Sequence, residues 1–268
     1  LAPADIREVA SRRVLAKKDE AEPWLRSLFE SCQGQLNLAC RLERTSRKSE
    51  VNESDFVLCY PYLPHFIDIS IDIMSGIRLQ PGADRHLGGS NRTIIKQAHE
   101  MLVNERTRLA EMPVGSLVTI DRIYDLVEGN LSTEKRNDVS QIAARIQDEK
   151  GMALRVTKAI CLLEFVRDLP RTEANIAACL VDEVGRSSQL ADVRDALKIL
   201  QDSQFVHLSD DGWKLLTPEE REWELQKRRI SPKPKDRNDL HRETLGDLFD
   251  DPGLKVYRFQ KLKSFKLG

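Results

Sequence analysis

The sequence predicts a mainly α-helical protein of roughly two domains, and three observations support this fold class. Apolar residues recur at spacings of three and four along most of the chain, as they do on one face of an α-helix. Only 6% of the 268 residues are aromatic, whereas 32% are charged. That composition is more typical of well-solvated helices than of a β-sandwich. Alternating patterns typical of strands occur near residues 205–216 and 255–266.

The composition also limits the classes of function. The formal net charge is −1, so the overall charge favours neither a nucleic acid nor a membrane as partner. No stretch reaches the roughly 18 apolar residues that cross a bilayer, and no signal sequence opens the chain. The cysteines form no C-x-x-C pair and have no histidine nearby at zinc-ligand spacing, so we expect reduced, mostly buried thiols in a cytoplasmic protein. They are Cys32, Cys40, Cys59, Cys161 and Cys179.

The first 80 residues are predicted to form four helices. Their expected ranges are residues 4–18, residues 23–40, a short helix capped by Ser54, and residues 66–77. Arg12 and Arg13 lie on a basic side of the first helix, which is suited to a nucleotide or a neighbouring subunit. The alternative is a solvated face whose cations favour the helix C-terminus. Pro61 and Pro64 frame a rigid turn, and we expect His65 after it to be a packing residue.

Residues 86–94 predict an anion-binding helix start. Gly88 and Gly89 permit a tight turn, and the Ser90 hydroxyl can cap the helix that follows. Arg92 then falls in the first turn of a helix that we expect to end near residue 109. Because a helix N-terminus favours anions and a guanidinium binds phosphate, this position is suited to a phosphate. The alternative is a capped surface helix with a solvated arginine.

Residues 111–151 are predicted to connect two modules, with one helix over residues 119–129 and helical spacing between residues 139 and 146. The second module follows the order of a winged helix, with three helices and then a hairpin at an Asp-Gly turn. The expected ranges are helices at 153–167, 172–181 and 189–202, and strands at 205–208 and 213–216.

The charges on the third helix of this module favour docking to a protein over sequence-specific recognition of DNA. In winged helices this helix commonly enters the DNA major groove. Here it carries Arg194 and Lys198 against three acidic residues, which is a poor surface to place on phosphates. The acidic residues are Asp192, Asp195 and Asp202.

The end of the chain is basic. After a short helix with Trp223, cations cluster at residues 227–229, and a further helix is expected over residues 240–249. Residues 255–266 alternate as a strand does. The candidate contacts to a nucleic-acid backbone are Lys227, Arg228, Arg229, Lys261 and Lys263. The alternative is a half-buried edge strand whose lysines discourage pairing with other strands.

Two segments carry a resemblance to a known family. FVLCYPYLPHFIDIS at residues 56–70 and RHLGGSNRTIIKQAHEMLV at residues 85–103 resemble the large P-loop ATPases of BREX phage-defence systems. Residues 1–103 are similar to the helical lid of AAA+ ATPases. In such proteins a Gly-x-x-Arg at the start of a lid helix supplies the arginine called sensor 2, which reaches the nucleotide γ-phosphate. The matching residues are Gly89 and Arg92.

The resemblance implies four parts. A lid-like domain spans residues 1–110, a helical linker residues 111–151 and a winged helix residues 152–225, while residues 226–268 are a basic linker and the start of a further domain. Lid and winged helix together imply a module that senses nucleotide and couples it to partners. The alternatives are a DNA-binding winged-helix regulator and a scaffold without a ligand.

The chain lacks the catalytic parts of such an ATPase. It contains neither the phosphate-loop pattern G-x-x-x-x-G-K-[ST] nor an apolar strand ending in the acidic pair that holds magnesium. Because it also starts at Leu1, we expect a fragment C-terminal to a P-loop core. ATP and Mg²⁺ would then bind in the full-length protein, which the resemblance implies to be an oligomer. Its partners would be other defence proteins and, in one alternative, DNA.

Overall fold

The computed structural model describes residues 3–80, 90–230, 233–248, 256–259 and 263–266. These residues are mainly helical, as the sequence predicts, with two short antiparallel hairpins. The chain divides into two compact units, residues 1–218 and residues 219–268. None of the described helices combines the length and the apolar character that a transmembrane span requires.

The first unit begins with five helices. They are α1 (Pro3–Arg13), α2 (Ala21–Ala39), α3 (Glu53–Cys59), α4 (Pro64–Arg78) and α5 (Ser90–Val103). Helix α4 is the most deeply buried of them, and it starts at Pro64, where the fixed φ of proline suits the first helical position. His65 is a packing residue, as predicted, because it is buried against the Phe66 ring at 4.6 Å between ring centroids.

Helices α1, α3 and α5 differ from the predicted bounds for reasons that the structure shows. Helix α1 ends at Arg13 instead of residue 18, because the chain turns to bury Leu15 and the Lys17 ammonium reaches the Leu58 carbonyl at 2.9 Å. Helix α3 is capped by Asn52 instead of Ser54, since the Asn52 side chain accepts the Asp55 N–H at 2.8 Å.

Helix α5 ends at Val103 and does not continue to residue 109. The Thr107 hydroxyl donates to the Met101 carbonyl at 2.9 Å, and the Asn104 side chain accepts the Arg106 N–H at 3.0 Å. These hydrogen bonds end the helix, because they satisfy the backbone carbonyl and N–H groups that would otherwise pair within another helical turn. A short 3-10 turn, Leu109–Glu111, follows.

The middle of the chain joins the two ends of the first unit. Helices α6 (Ile120–Val127) and α7 (Thr133–Arg145) lie within the expected connecting region. Before them, the Val118 N–H donates to the Pro61 carbonyl at 3.0 Å, and the Leu117 N–H donates to the Asp182 carbonyl at 2.8 Å. The connecting segment is therefore hydrogen-bonded to early and late parts of the same unit.

The predicted second module has the expected order of elements. It contains α8 (Met152–Leu163), α9 (Glu173–Cys179), α10 (Leu190–Asp202), β1 (Val206–Ser209) and β2 (Gly212–Leu215). Strands β1 and β2 pair antiparallel, and Arg171, between α8 and α9, pairs in parallel with Gly212. Gly212 has φ +96°, and a Cβ there would overlap the Arg171 backbone, so this position requires glycine.

The second unit contains α11 (Pro218–Arg229), α12 (Pro234–Leu248) and a hairpin of β3 (Val256–Phe259) and β4 (Lys263–Lys266). Helix α12 starts six residues before the predicted residue 240, because Pro234 suits the first position and Asp236 complements the helix dipole. The alternation over residues 255–266 belongs to two paired strands instead of one.

Candidate functional site

The predicted phosphate position lies at the start of α5. The helix begins at Ser90, so the backbone of Arg92 is in its first turn, as the sequence predicts. Ser90 is thus the first helical residue and not the residue before it. Gly89 and the side chains of Ser90 and Arg92 lie outside the described residues.

Helix α1 packs beside α5, and its basic end is exposed. Ala10 of α1 and Ile94 and Ala98 of α5 line one small void, which shows direct packing between the two helices. Arg12 and Arg13 lie in the last turn of α1. Arg12 is 3.0 Å from Glu8, one turn earlier, and both side chains are mostly exposed. Such a surface pair adds little stability and leaves the guanidinium accessible to an anion.

The predicted nucleic-acid contacts lie in the second unit. The Lys227 ammonium is 5.2 Å from the Trp223 ring centroid and 3.6 Å from a Glu224 carboxylate oxygen. Arg229 is exposed, and Lys263 starts β4. Lys261 and the side chains of Arg228 and Lys263 lie outside the described residues.

A groove of the first unit has a volume of about 690 Å³ and was not predicted from the sequence. Six charged or aromatic residues line its walls, together with part of α4. They are Asp72, Lys135, Glu164, Phe165, Arg167 and Asp168. Lys135 pairs with Glu164, and Arg47 pairs with both Asp72 and Asp168.

Four of the five charged side chains that line this groove are in ion pairs within the protein. Burial lowers the pKa of Lys135, but the Glu164 carboxylate outweighs burial, so the pKa is raised and the ammonium stays charged. The described residues contain no group of three potential metal ligands. The ion pairs of Arg47 and Lys135 connect the walls of this groove to one another.

A second polar cluster, which we call the Asn175 junction, connects loop 41–50 to the second module. Asn175 is fully buried. Its amide oxygen accepts the Glu43 N–H at 2.8 Å, and its amide nitrogen donates to the carbonyls of Glu43 and Pro170 at 3.0 and 2.8 Å. The Arg47 ion pairs with Asp72 and Asp168 lie beside the same loop. The junction therefore joins α4, loop 41–50 and α9.

Arg155 forms a comparable cluster on α8. Its guanidinium donates to Asp121 of α6 at 2.8 Å and to the Leu180 carbonyl at 2.9 Å, and it lies 3.3 Å from an Asp182 oxygen. Since these partners lie in α6 and in the segment that follows α9, Arg155 connects the middle helices to the loop before α10.

The exposed side of α10 carries charges of both signs, among them Asp195, Arg194 and Lys198. Arg194 donates to Glu173 at 2.6 Å, and Lys150 lies 2.5 Å from Asp192. Ile199 of α10 is 39% exposed. The helix therefore presents mixed charges around an apolar side chain, which is not the continuous cationic surface that a nucleic-acid backbone favours.

No local pattern in the sequence indicates these clusters. Asn175 and Glu43 are 132 residues apart. The residues next to each of them in the sequence do not indicate that the two are in contact. Thr172 caps α9, so Asn175 would have been interpreted as an ordinary first-turn residue. Four of the five cysteines are buried, as expected, and burial raises the pKa of Cys40 and Cys161 to about 12.

Comparison with known proteins does not assign the chain to a family. No protein-family model matches the chain, and no solved structure gives a significant match.

Proposed function

We propose that this chain is the nucleotide-sensing lid and winged-helix module of a P-loop ATPase of the BREX phage-defence type, and that it couples the ATP state of that enzyme to a protein partner. The observation that carries the proposal is the start of α5 at Ser90, which puts Arg92 in the first helical turn. Unpaired N–H groups and a guanidinium at this position favour a phosphate group.

The order of elements after residue 151 supports a winged helix. Three helices precede an antiparallel hairpin, and the segment between the first two helices pairs with the second hairpin strand through Arg171 and Gly212. This three-helix and hairpin order is the one that the sequence predicts.

The contacts between the two predicted modules support coupling. The Asn175 junction and the Arg155 cluster connect α4, α6, α8 and α9 within one compact unit. A change at the start of α5 would therefore move the winged-helix part with the lid instead of leaving it behind. The nucleotide can act on the module only if the module makes different contacts with ATP and with ADP. We propose that Arg92 makes this difference.

The charge of α10 favours protein over DNA as the partner. Asp195 and Lys198 are both exposed on it. Asp192 is paired with Lys150, and Arg194 is paired with Glu173, so the helix offers no continuous cationic surface to phosphates. DNA binding through the basic residues near Lys227 stays the second candidate. It predicts binding to any duplex, with an affinity that falls steeply as salt increases.

ATP hydrolysis by this chain joined to its P-loop core tests the proposal. Arg92→Ala should lower kcat by at least about tenfold with ADP affinity retained, because the arginine would contact only the γ-phosphate. Arg145→Ala, at an exposed position of α7, is the matched control and should leave kcat unchanged. Equal turnover by the Arg92 variant and the wild type would refute the sensor role.

A further inference from the structure

A cleft of about 280 Å³ lies between α10 and the segment that leads into α8. Four carboxylates and one ammonium line it, so the formal charge of its lining is −3. They belong to Asp148, Glu149, Asp192, Asp195 and Lys150. The volume is just below the usual range of about 300–1,000 Å³ for small-molecule pockets. The cleft therefore suits single side chains of a partner better than a free ligand.

One side of α10 forms the first wall of the cleft. Four residues of this wall follow one another at spacings of three, four and seven residues, so they share one stripe of the helix. They are Asp192, Asp195, Ala196 and Ile199. The two cations of α10, Arg194 and Lys198, lie about 200° and about 240° around the helix from Asp192. The mixed charges of this helix are therefore separated, and the side that lines the cleft is acidic.

The cleft also offers apolar surface to a partner. Met152 and Ala196 are buried in its lining, whereas Ile199 is 39% exposed. Burying an exposed isoleucine against an apolar group of a partner is favourable, because both groups leave water. The cleft thus combines apolar contact area with charged residues around it, as protein interfaces commonly do.

Two of the four carboxylates are already used within the chain. Asp148 accepts the N–H groups of Lys150 and Ala153 at 3.0 and 2.7 Å, at the start of α8. Asp192 pairs with the Lys150 ammonium at 2.5 Å. The Asp192 carboxylate raises the pKa of Lys150, and the carboxylates of Asp195 and Asp148 add to this effect. One ammonium is therefore shared among several carboxylates.

The other two carboxylates have no cation of their own. Glu149 and Asp195 are exposed, and within the described part of the chain neither forms an ion pair. One lies in the segment before α8 and the other on α10, so they belong to different walls of the cleft. Because like charges that line one cleft repel each other, a cation that enters it is favourable. A guanidinium suits this position, since it binds a carboxylate through two parallel hydrogen bonds.

We infer that this cleft binds a basic segment of a partner protein, in which an apolar side chain contacts Ile199 and neighbouring arginines pair with Glu149 and Asp195. The inference rests on the proposed function for its choice of a protein as partner, and it adds the surface and the chemistry of that partner. A nucleic-acid backbone does not fit the cleft, because its phosphates carry the same sign of charge.

The test of this inference is separate from the test of Arg92. It contains no nucleotide and measures the binding of a peptide, whereas the Arg92 test measures turnover. A cleft that binds no basic peptide would leave the sensor role of Arg92 intact. Unchanged turnover by Arg92→Ala would likewise leave the peptide result intact.

Selection from a phage-displayed library of random peptides of about twelve residues, with the chain immobilised, tests the inference. The wild-type chain should enrich peptides in which an apolar residue lies between arginines or lysines. The most enriched peptide is then titrated onto each variant by calorimetry. Asp195→Arg and Glu149→Arg should each raise its dissociation constant at least about tenfold, because each replaces an attractive contact with a repulsive one. Ile199→Gln should also weaken binding, since it removes apolar contact area.

Asp202→Arg is the matched control, because Asp202 is exposed on the same helix and does not line the cleft. It makes the same change of charge as Asp195→Arg and should alter the dissociation constant by less than about threefold, since solvent and salt screen distant charges. Thermal melting followed by circular dichroism should be the same for all variants, and Asp195→Asn gives a milder test if Asp195→Arg lowers the melting temperature. Enrichment of acidic or uncharged peptides, no enrichment, or equal weakening by Asp195→Arg and Asp202→Arg would each overturn the inference.

Discussion

Two buried amides in the same compact unit have opposite surroundings. Asn175 uses its oxygen and nitrogen in three hydrogen bonds to backbone groups of Glu43 and Pro170. Gln97 has none. Both side chains are removed from water, so burial alone does not distinguish them. Their partners do, because a satisfied amide connects chain segments whereas an unsatisfied one reduces stability unless something else binds to it.

The largest expected effect is at the Asn175 junction. Asn175→Leu keeps the size of the side chain but leaves the backbone groups of Glu43 and Pro170 without their partners. We expect a loss of about 3 kcal/mol in the free energy of unfolding, measured by urea denaturation. Asn137→Leu, at an exposed position of α7, is the control and should change stability by less than about 0.5 kcal/mol. A loss at Asn175 no larger than the control would show that the junction does not stabilise the fold.

An intermediate effect is expected at His65, where the cost of an unpartnered group depends on pH. Burial, with Arg47 nearby, lowers the pKa of His65 from 6.5 to about 3. Between these values the unfolded chain binds a proton that the folded chain excludes, so stability falls as the pH drops below 6.5. At pH 5 the loss is about 2 kcal/mol relative to neutral pH.

His65→Phe should remove this pH dependence, because phenylalanine packs against Phe66 and does not titrate. Urea denaturation at pH 7 and pH 5 measures it for the wild type and the variant. The control is His99→Phe, which replaces an exposed histidine and should keep the wild-type slope. If the His65 variant lost as much stability between pH 7 and pH 5 as the wild type, other groups would be responsible.

The smallest effect is expected at the surface. Arg194 pairs with Glu173, but its side chain is 60% exposed. Arg194→Met should change the free energy of unfolding by less than about 0.5 kcal/mol, since solvent screens an exposed ion pair. The same measurement tests whether the Arg194–Glu173 pair stabilises the fold. A loss of more than about 1 kcal/mol in the free energy of unfolding would mean that this surface is less available to a partner than we propose.

Local sequence signals predicted much of the fold. The periodic apolar residues of α8 and α10 and the Asp-Gly turn before β2 gave elements close to the observed ones. Helix ends were less predictable where a side chain from elsewhere intervenes, as with Lys17 and the Leu58 carbonyl at the end of α1. The boundaries proposed at residues 110, 151 and 225 stay predictions.

The candidate sites also differ in whether local sequence signals could predict them. The first-turn position of Arg92 follows from glycines and a serine that are adjacent in the sequence. The pairing of Asn175 with Glu43 and the burial of the Gln97 amide without a partner both depend on residues distant in the chain. Periodicity would assign Gln97 only to a helix, because it does not report what a neighbouring helix places opposite the amide.

The backbone at Gly212 has a consequence for tracing the ancestry of this chain. A side chain of any size there meets the main chain of Arg171, which no rotamer change can avoid. Substitutions at this position should be rejected during evolution even where the surrounding surface residues have diverged. A distant relative would therefore keep a glycine at the start of the second hairpin strand.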